Sequence, residues 1–328
     1  MRKINKIIIL FIIFSAILLI SVNISFATET INVRNNLSKG SRGEQVELLQ
    51  KELNAVMDAG LVEDGAFGSK TREAVINFQK KYNLDVDGIA GPTTCSKLNV
   101  EYLAQNNYVT IYVDPSTNGG MLNVRAKANT SSTKLGTIPS GTSVIYYGTT
   151  TSSSGSTWYK IKYNGQDAYI SSSYTYKTCV SLDISDQLLK FYKNGKLQLE
   201  TPVVTGNNGN NGTVAHKTPT GKYLFKFQDV YYDKNGKKQT VFYKKSPAVL
   251  RGDNDDGTKY ETPVNYWMNF IPSRGIGFHD AGWRSSSQFY NVNTYLTKGS
   301  HGCVNMRPAA AKELYNILPD KTYVLIVQ

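Results

Sequence analysis

Asn-Gly and Asp-Gly pairs punctuate this chain, and the hydrophobic period between them changes partway along, so no single repeating layer can accommodate it. Across residues 37–98 the apolar positions recur at helical spacing: Val46, Leu49, Leu53 and Met57, then Ala74, Val75, Phe78 and Tyr82. Asp64-Gly65 and Asp87-Gly88 follow these two faces as tight turns in which glycine takes positive φ, and Ser69 is placed to cap a helix. Beyond residue 108 the runs are short and β-rich, among them "VTIYV", "LNVRA", "SVIYYG" and "WYKIKY". Asn164-Gly165, Asn194-Gly195 and Asn235-Gly236 each sit between two such runs, the signature of a two-residue hairpin turn. Pro308 to Leu318 reads as the one good helix of the C-terminal half, with "TYVLIV" as a closing strand.

The first residues set the compartment. Arg2, Lys3 and Lys6 precede an apolar run from Ile7 to Val22, and Ser25-Phe26-Ala27 supplies the small-x-small pattern of a signal-peptidase site. Residues 1–27 are expected to be a signal peptide cleaved after Ala27, with a retained membrane anchor as the alternative. Either way the remainder is exported, to the cell wall or the extracytoplasmic surface. The formal charge is +12, scattered along the chain. It favours anionic polymers, and an exported protein meets wall polymers before nucleic acid. Cys95, Cys179 and Cys303 are the only cysteines, and they form no CxxC pair. Their odd number argues against a disulfide scaffold, and a Cys95–Cys179 bridge would have to join two separate domains.

Three exported segments follow: 36–98, 108–176 and 179–328. In the first, "GSRGEQVELLQKEL", "VEDGAFGSKTREAVINFQKKYNL" and "DGIAGPTT" occur in order, and the segment resembles the type 1 peptidoglycan-binding domain. It is expected to be a small all-α three-helix module. The second, with "MLNVRAKANTSSTKLGTIPSGTSV" and "WYKIKYNGQDAYISSSY", resembles the bacterial SH3-like domain, a small β-barrel. Its Tyr and Trp side chains suit either a binding groove or barrel packing. The third reads as a mostly antiparallel β fold with one short helix after Cys303.

Chemistry concentrates in that third segment. The chain has three histidines, and two of them fall with Cys303 in "GIGFHDAGW" and "KGSHGCVN". A lone cysteine is more often a small buried apolar residue, and a lone histidine more often structural. Together they offer a thiolate and an imidazole to receive its proton. His301 is only two positions from Cys303, whereas His279 can approach from across a cleft. A helix starting near Arg307 could add its N-terminal dipole to lower the thiol pKa.

"SHGCVN" preceded by "GFHDAGW", with "YWMNFIPSRGIGFHDA" and "TPTGKY" upstream, is similar to the signature of the L,D-transpeptidases, the YkuD-type catalytic domain. The resemblance implies a β-sandwich with the nucleophile in a cleft beneath a lid hairpin. It implies that Cys303 attacks a stem-peptide carbonyl, that His279 is its base, and that the backbone carbonyl of Asp280 orients the imidazole. His301, Gly302 and Cys303 would line the oxyanion site through backbone N–H groups. Ser300 and Asn305 would support the loop, Trp267 would assist in substrate binding or support, and Arg307 would meet a substrate carboxylate or lie at the surface. The stretch "RSSSQFYNVNT" makes the span from His279 to Ser300 longer than the family pattern, and is expected to enlarge a loop at the cleft edge.

The implied reaction releases D-alanine from a tetrapeptide stem and passes the thioester to an amine of a neighbouring stem, giving a 3→3 cross-link. Carbapenem acylation of the same cysteine is implied as well. No metal or cofactor is called for, and the partners are peptidoglycan stems and the wall polymer. Water in place of the amine would make the protein an L,D-carboxypeptidase, and an inactive third domain would leave a wall-binding scaffold. A zinc hydrolase using His216, His279 and His301 lacks HExxH or CxxC spacing.

Overall fold

A computed structural model describes residues 30–105, 110–114, 120–207, 216–254 and 256–328. The expected leader, residues 1–27, lies outside the described residues. The first module comprises α1 (Glu44–Met57), α2 (Ser69–Lys81) and α3 (Pro92–Gln105). Its core draws on Val46, Leu49, Leu53, Val75 and Phe78, the residues of the two periodic faces. The two Asp-Gly turns are held alike. Gln50 donates to Asp64 Oδ1 at 2.9 Å and accepts from Gly65 N–H at 2.9 Å. Gln79 donates to Asp87 Oδ1 at 2.8 Å and accepts from Gly88 N–H at 2.9 Å. Each buried glutamine replaces the solvent its turn has lost. Ser69 is not the cap expected of it: it is the first helical residue, and Gly68 stands at the N-cap without a side chain to offer.

The second module contains β1 (Thr110–Val113), β2 (Met121–Arg125), β3 (Lys134–Pro139), β4 (Ser143–Thr151), β5 (Thr157–Tyr163), β6 (Gln166–Ser171) and β7 (Thr175–Tyr176). They form a seven-stranded sheet in the order β3-β2-β6-β5-β4-β1-β7. Asn164 and Gly165 both take positive φ, 50° and 77°, as a type I′ turn requires. Trp158 and Tyr163 are buried, whereas Tyr147 and Tyr174 are exposed.

The third module runs from β8 (Cys179–Asp183), β9 (Leu188–Lys193) and β10 (Lys196–Val204) through β11 (Gly221–Phe225), β12 (Gln228–Tyr232) and β13 (Lys238–Phe242). It continues with β14 (Lys244–Lys245), β15 (Ala248–Asp253), β16 (Lys259–Val264), β17 (Trp267–Ile271) and β18 (Ile276–Asp280). The remainder is α4 (Ser286–Tyr290), α5 (Thr294–Lys298), β19 (Val304–Met306), α6 (Pro308–Ile317) and β20 (Thr322–Val327). Nine strands pair in the order β11-β20-β8-β9-β10-β19-β18-β17-β14, while β12–β13 and β15–β16 are separate two-stranded ribbons. Most pairings are antiparallel, but β8–β20 and β18–β19 are parallel. One apolar core joins Val180 and Phe191 from one end of this order, Met268, Phe278 and Met306 from the other, and Leu314 of α6.

"RSSSQFYNVNT" is not the enlarged loop expected from its polar composition. It contains all of α4 and the first residue of α5, with Phe289 only 1% exposed. A single buried aromatic anchors a segment too short to show a helical period.

The modules meet through polar as well as apolar contacts. Asn99 of α3 donates to Glu200 Oε2 of β10 at 2.7 Å and to the Ile31 carbonyl at 2.9 Å. Lys222 of β11 pairs with Asp114, just past β1, at 2.9 Å. Cys95 and Cys179 are free and buried, so no bridge joins their modules.

Candidate active site

Every residue of β18 is buried, and the strand lies between β17 and β19. In that register His279 sits opposite Trp267 on one side and Asn305 on the other. His279 is 3% exposed. Its Nδ1 lies 2.9 Å from the Asp280 carbonyl oxygen, an acceptor only, so Nδ1 carries the proton. The Asp280 carboxylate turns the other way and accepts from the N–H groups of Asn265 and Tyr266, each at 2.8 Å.

Cys303 comes from the turn between α5 and β19. Gly302 there has φ of 110°, and an added Cβ would stand 3.2 Å from Ile276 Cδ1, so the turn demands glycine. Thr218 of "TPTGKY" holds the turn from behind: its hydroxyl donates to the Gly302 carbonyl at 2.8 Å and accepts from Gly206 N–H at 2.9 Å. Ser300 Oγ donates to the Cys303 carbonyl and accepts from Gly302 N–H at 3.1 Å. Of the three amides assigned to the oxyanion loop, that of Gly302 is therefore turned inward, onto Ser300.

The Cys303 Sγ lies 3.5 Å from the Gly275 carbonyl oxygen. Burial pushes the thiol up to about 11, partly offset by the Gly277 N–H. Burial also lowers the His279 imidazole, against the raising effect of its bond to Asp280. Both shifts favour an un-ionised pair. The expected dipole contribution is not in place, because β19 separates Cys303 from α6. At about 3.3 Å per extended residue that puts the first turn of the helix more than ~10 Å of chain from the sulfur.

Cys303 and His279 open onto a cleft of about 310 Å³ roofed by Leu250, Tyr260 and Thr262 of the β15–β16 ribbon. Ser300, His301 and Asn305 also line it. The His301 ring lies against the tilted rings of His216, centroids 4.7 Å apart, and Tyr260, 5.4 Å apart. Trp267 does not line the cleft: it is 8% exposed and stands behind His279 with ring centroids 6.0 Å apart. The exposed wall is Trp283, 56% exposed and stacked on His279 at 5.8 Å. Trp283 ends the "GFHDAGW" motif, and that position was its only signal in the sequence.

Arg307 is a correction. Its guanidinium leaves the cleft, donates to Thr93 Oγ1 at 2.8 Å and lies 6.0 Å from the Tyr290 ring centre. β19 ends at Met306, and Arg307, at the N-cap of α6, turns towards the helical module instead of the substrate. Arg284, which carried no sequence signal, lines the cleft instead. The Asn305 amide lies between it and His279. The amide orientation is assigned from its neighbours. With its NH2 towards His279 Nε2, 3.1 Å away, the Asn305 carbonyl accepts from Arg284 Nε at 2.7 Å and Nη2 at 3.1 Å. The reverse would face donor with donor and acceptor with acceptor.

Comparison with known proteins matches each module. The L,D-transpeptidase catalytic domain profile covers residues 177–326, the peptidoglycan binding domain profile 42–98 and the bacterial SH3 domain profile 120–176. The solved catalytic domain of the E. faecium L,D-transpeptidase is 34% identical, covering 46% of this chain and 96% of that one, with a TM-score of 0.34. The same domain acylated by ertapenem is also 34% identical, covering 46% and 97% of the two chains, with a TM-score of 0.32. A zinc D-Ala-D-Ala carboxypeptidase of Streptomyces albus G is 47% identical over 64 residues, 19% of this chain and 25% of its own length. The chain thus spans only a quarter of that curated relative. The profile matches carry the assignment: residues 177–326 belong to the L,D-transpeptidase catalytic domain family, with a peptidoglycan-binding domain and a bacterial SH3 domain on their N-terminal side.

Proposed function

We propose that the protein is an exported cysteine acyltransferase of the cell wall that makes 3→3 cross-links between peptidoglycan stems. The observation that carries this reading is the arrangement around the cleft. The half-buried Cys303 thiol shares one opening with a His279 whose Nδ1 is fixed by the Asp280 carbonyl. A neutral imidazole with its proton on Nδ1 has its Nε2 lone pair available as a base.

In the first step Sγ attacks the carbonyl of the third stem residue as the thiol proton passes to His279 Nε2. A C–S bond forms, the carbonyl oxygen becomes an oxyanion, and the backbone N–H groups of His301 and Cys303 stabilise it, that of Gly302 being held by Ser300. Collapse breaks the C–N bond, and His279 returns its proton to the departing D-alanine. In the second step an amine on the third residue of a neighbouring stem attacks the thioester and frees the thiol. The thioester conserves the energy of the broken peptide bond. The helical and SH3-like modules keep the cleft at the wall, and the leader in residues 1–27 delivers it there. By analogy with the ertapenem-acylated E. faecium domain, a carbapenem would acylate Cys303.

Sacculi and defined tetrapeptide stems digested with native protein or Cys303→Ala test the reading. Native protein should form 3→3 dimers and an acyl-enzyme mass adduct, and Cys303→Ala neither. Free tripeptide without dimers would make water the acceptor and the protein a carboxypeptidase. Identical products from native and variant protein would overturn both.

A further inference from the structure

We infer that Arg284 is a positioning residue that acts through the Asn305 amide to hold His279 in its neutral Nδ1–H form until substrate enters. This rests on Cys303 and His279 being the catalytic pair. The chain of contacts runs one way. The Asp280 carbonyl fixes the proton on Nδ1 at 2.9 Å. Nε2 is then a lone pair, and Asn305 N–H donates into it at 3.1 Å. The Asn305 carbonyl oxygen is held by two guanidinium N–H groups of Arg284, at 2.7 and 3.1 Å. An amide held this way cannot turn over without bringing its NH2 group against the guanidinium, where neither side has an acceptor.

Arg284 is itself anchored. Its Nη1 donates to the Lys298 carbonyl at 2.7 Å, and its backbone N–H donates to the Ala281 carbonyl at 3.0 Å. Arg284 opens the polar stretch that folds over Phe289, and Lys298 closes α5 at the far end of it, so that segment has a task at the catalytic pair. Asn305 is placed with equal definition, paired to His279 in the parallel β18–β19 register and to Val204 in β10.

Moving the Sγ proton to Nε2 would place an N–H on the ring facing the Asn305 N–H at 3.1 Å, with the Arg284 cation behind it. Proton transfer therefore requires the amide to swing away and release Arg284. Until then the thiol points to the Gly275 carbonyl, 3.5 Å away. Of the other ionisable groups around the imidazole, the Asp280 carboxylate raises its pKa and so opposes Arg284, which lowers it. The Asp280 carboxylate is taken up by Asn265 and Tyr266, and Tyr260 on the roof faces Cys303. A thiol held un-ionised resists alkylation and oxidation in an exported protein, and becomes nucleophilic once a stem displaces the amide.

The test uses full-length protein without substrate. Iodoacetamide labelling of Cys303, followed by mass spectrometry across pH 5–12, reads the thiolate fraction, since Cys95 and Cys179 are buried. Imidazole 15N NMR reads His279, which is practicable because the chain has three histidines. In Asn305→Ala and Arg284→Gln the His279 titration should rise and the labelling midpoint fall, each by about one pH unit, with labelling near pH 7 about tenfold faster. Arg284→Lys, which keeps the charge but loses the fork, should fall between. A loosened cleft alone would speed labelling equally at all pH values and leave both midpoints in place, and that result overturns the proposal. So would a native His279 with its proton on Nε2. None of these readouts needs turnover, so a chain that failed to cross-link stems could still show the shift, and an active transpeptidase could fail to.

Discussion

Two buried polar clusters, one where α3 meets β10 and one behind the Cys303 cleft, use burial differently. At the interface Glu52 and Asn99 are fully buried and Glu200 is 4% exposed, so all three face protein on every side. Glu52 accepts from Ile31 N–H at 3.2 Å and Asn99 donates to the Ile31 carbonyl at 2.9 Å, so both grip the backbone of one residue. Desolvation pushes Glu52 up to about 8. In the cleft desolvation likewise lowers His279, but both of its nitrogens are bonded and Cys303 beside it opens onto a cavity. Perturbed ionisation is thus common to both clusters and identifies neither as a site. What separates them is a nucleophilic atom that a substrate can reach.

The comparison breaks if a change at the interface alters catalysis. Glu200→Ala should have the largest effect on stability. It strips Lys190 of a partner at 2.8 Å and Asn99 of one at 2.7 Å. The expected loss in chemical unfolding is about 2–4 kcal/mol, kept from the top of the buried-pair range because the Lys190 side chain is 32% exposed. Acylation of Cys303 by a carbapenem, measured per folded molecule, should stay within about twofold of native. A fall of tenfold or more would mean that α3 and the cleft are coupled.

The two clusters also differ in how far they could be read from the sequence. Ser300 to Asn305 are consecutive, and His279 lies on the strand next to Asn305, so one motif and its upstream partner brought the cleft together. The hairpins at Asn164-Gly165 and Asn194-Gly195 were legible for the same reason, since a two-residue turn dictates the pairing around it. The ribbon at Asn235-Gly236 instead closes through the longer loop 233–237. Asn99 and Glu200 are 101 positions apart and join two modules, so no local pattern announces them. Arg284 was hidden differently. Its aim at Asn305 depends on how α4 and α5 fold, and only Phe289 and Thr294 of those helices are buried. Ser69 was misread by one position, because at the first helical residue a hydroxyl cannot do what it does at the N-cap.

Glu52→Gln sharpens the contrast through pH. Glu52 titrates near 8 when folded, against about 4.3 for a carboxyl in an unfolded chain. Between those values the folded state holds a proton that the unfolded state has released, so this contribution to stability falls as pH rises and is gone above about 8. The protonated carboxyl is a donor, and Asn99 Oδ1 beside the same Ile31 backbone makes no hydrogen bond among the described residues. A glutamine keeps a donor there at every pH. Thermal unfolding of Glu52→Gln should lose most of the native decline between pH 5 and 9, with a gain of about 1–3 kcal/mol at pH 9 and none near pH 4. A native profile that does not decline would remove the interface from the comparison.

Arg307→Gln has the smallest expected effect and decides to which cluster Arg307 belongs. Its guanidinium donates to Thr93 across the module boundary, yet its Nε is buried and makes no hydrogen bond among the described residues. Burial lowers its pKa, so part of the contact with Thr93 is offset by the cost of desolvating the cation. Glutamine retains an N–H for Thr93 and removes the orphaned donor, which leaves a net loss of about 0–1 kcal/mol. Carbapenem acylation and D-alanine release should both be unchanged, because the side chain points away from the cleft that holds Cys303. If KM for the stem rose tenfold while stability held, a substrate carboxylate would have to draw Arg307 off Thr93. The module boundary would then form one wall of the substrate site.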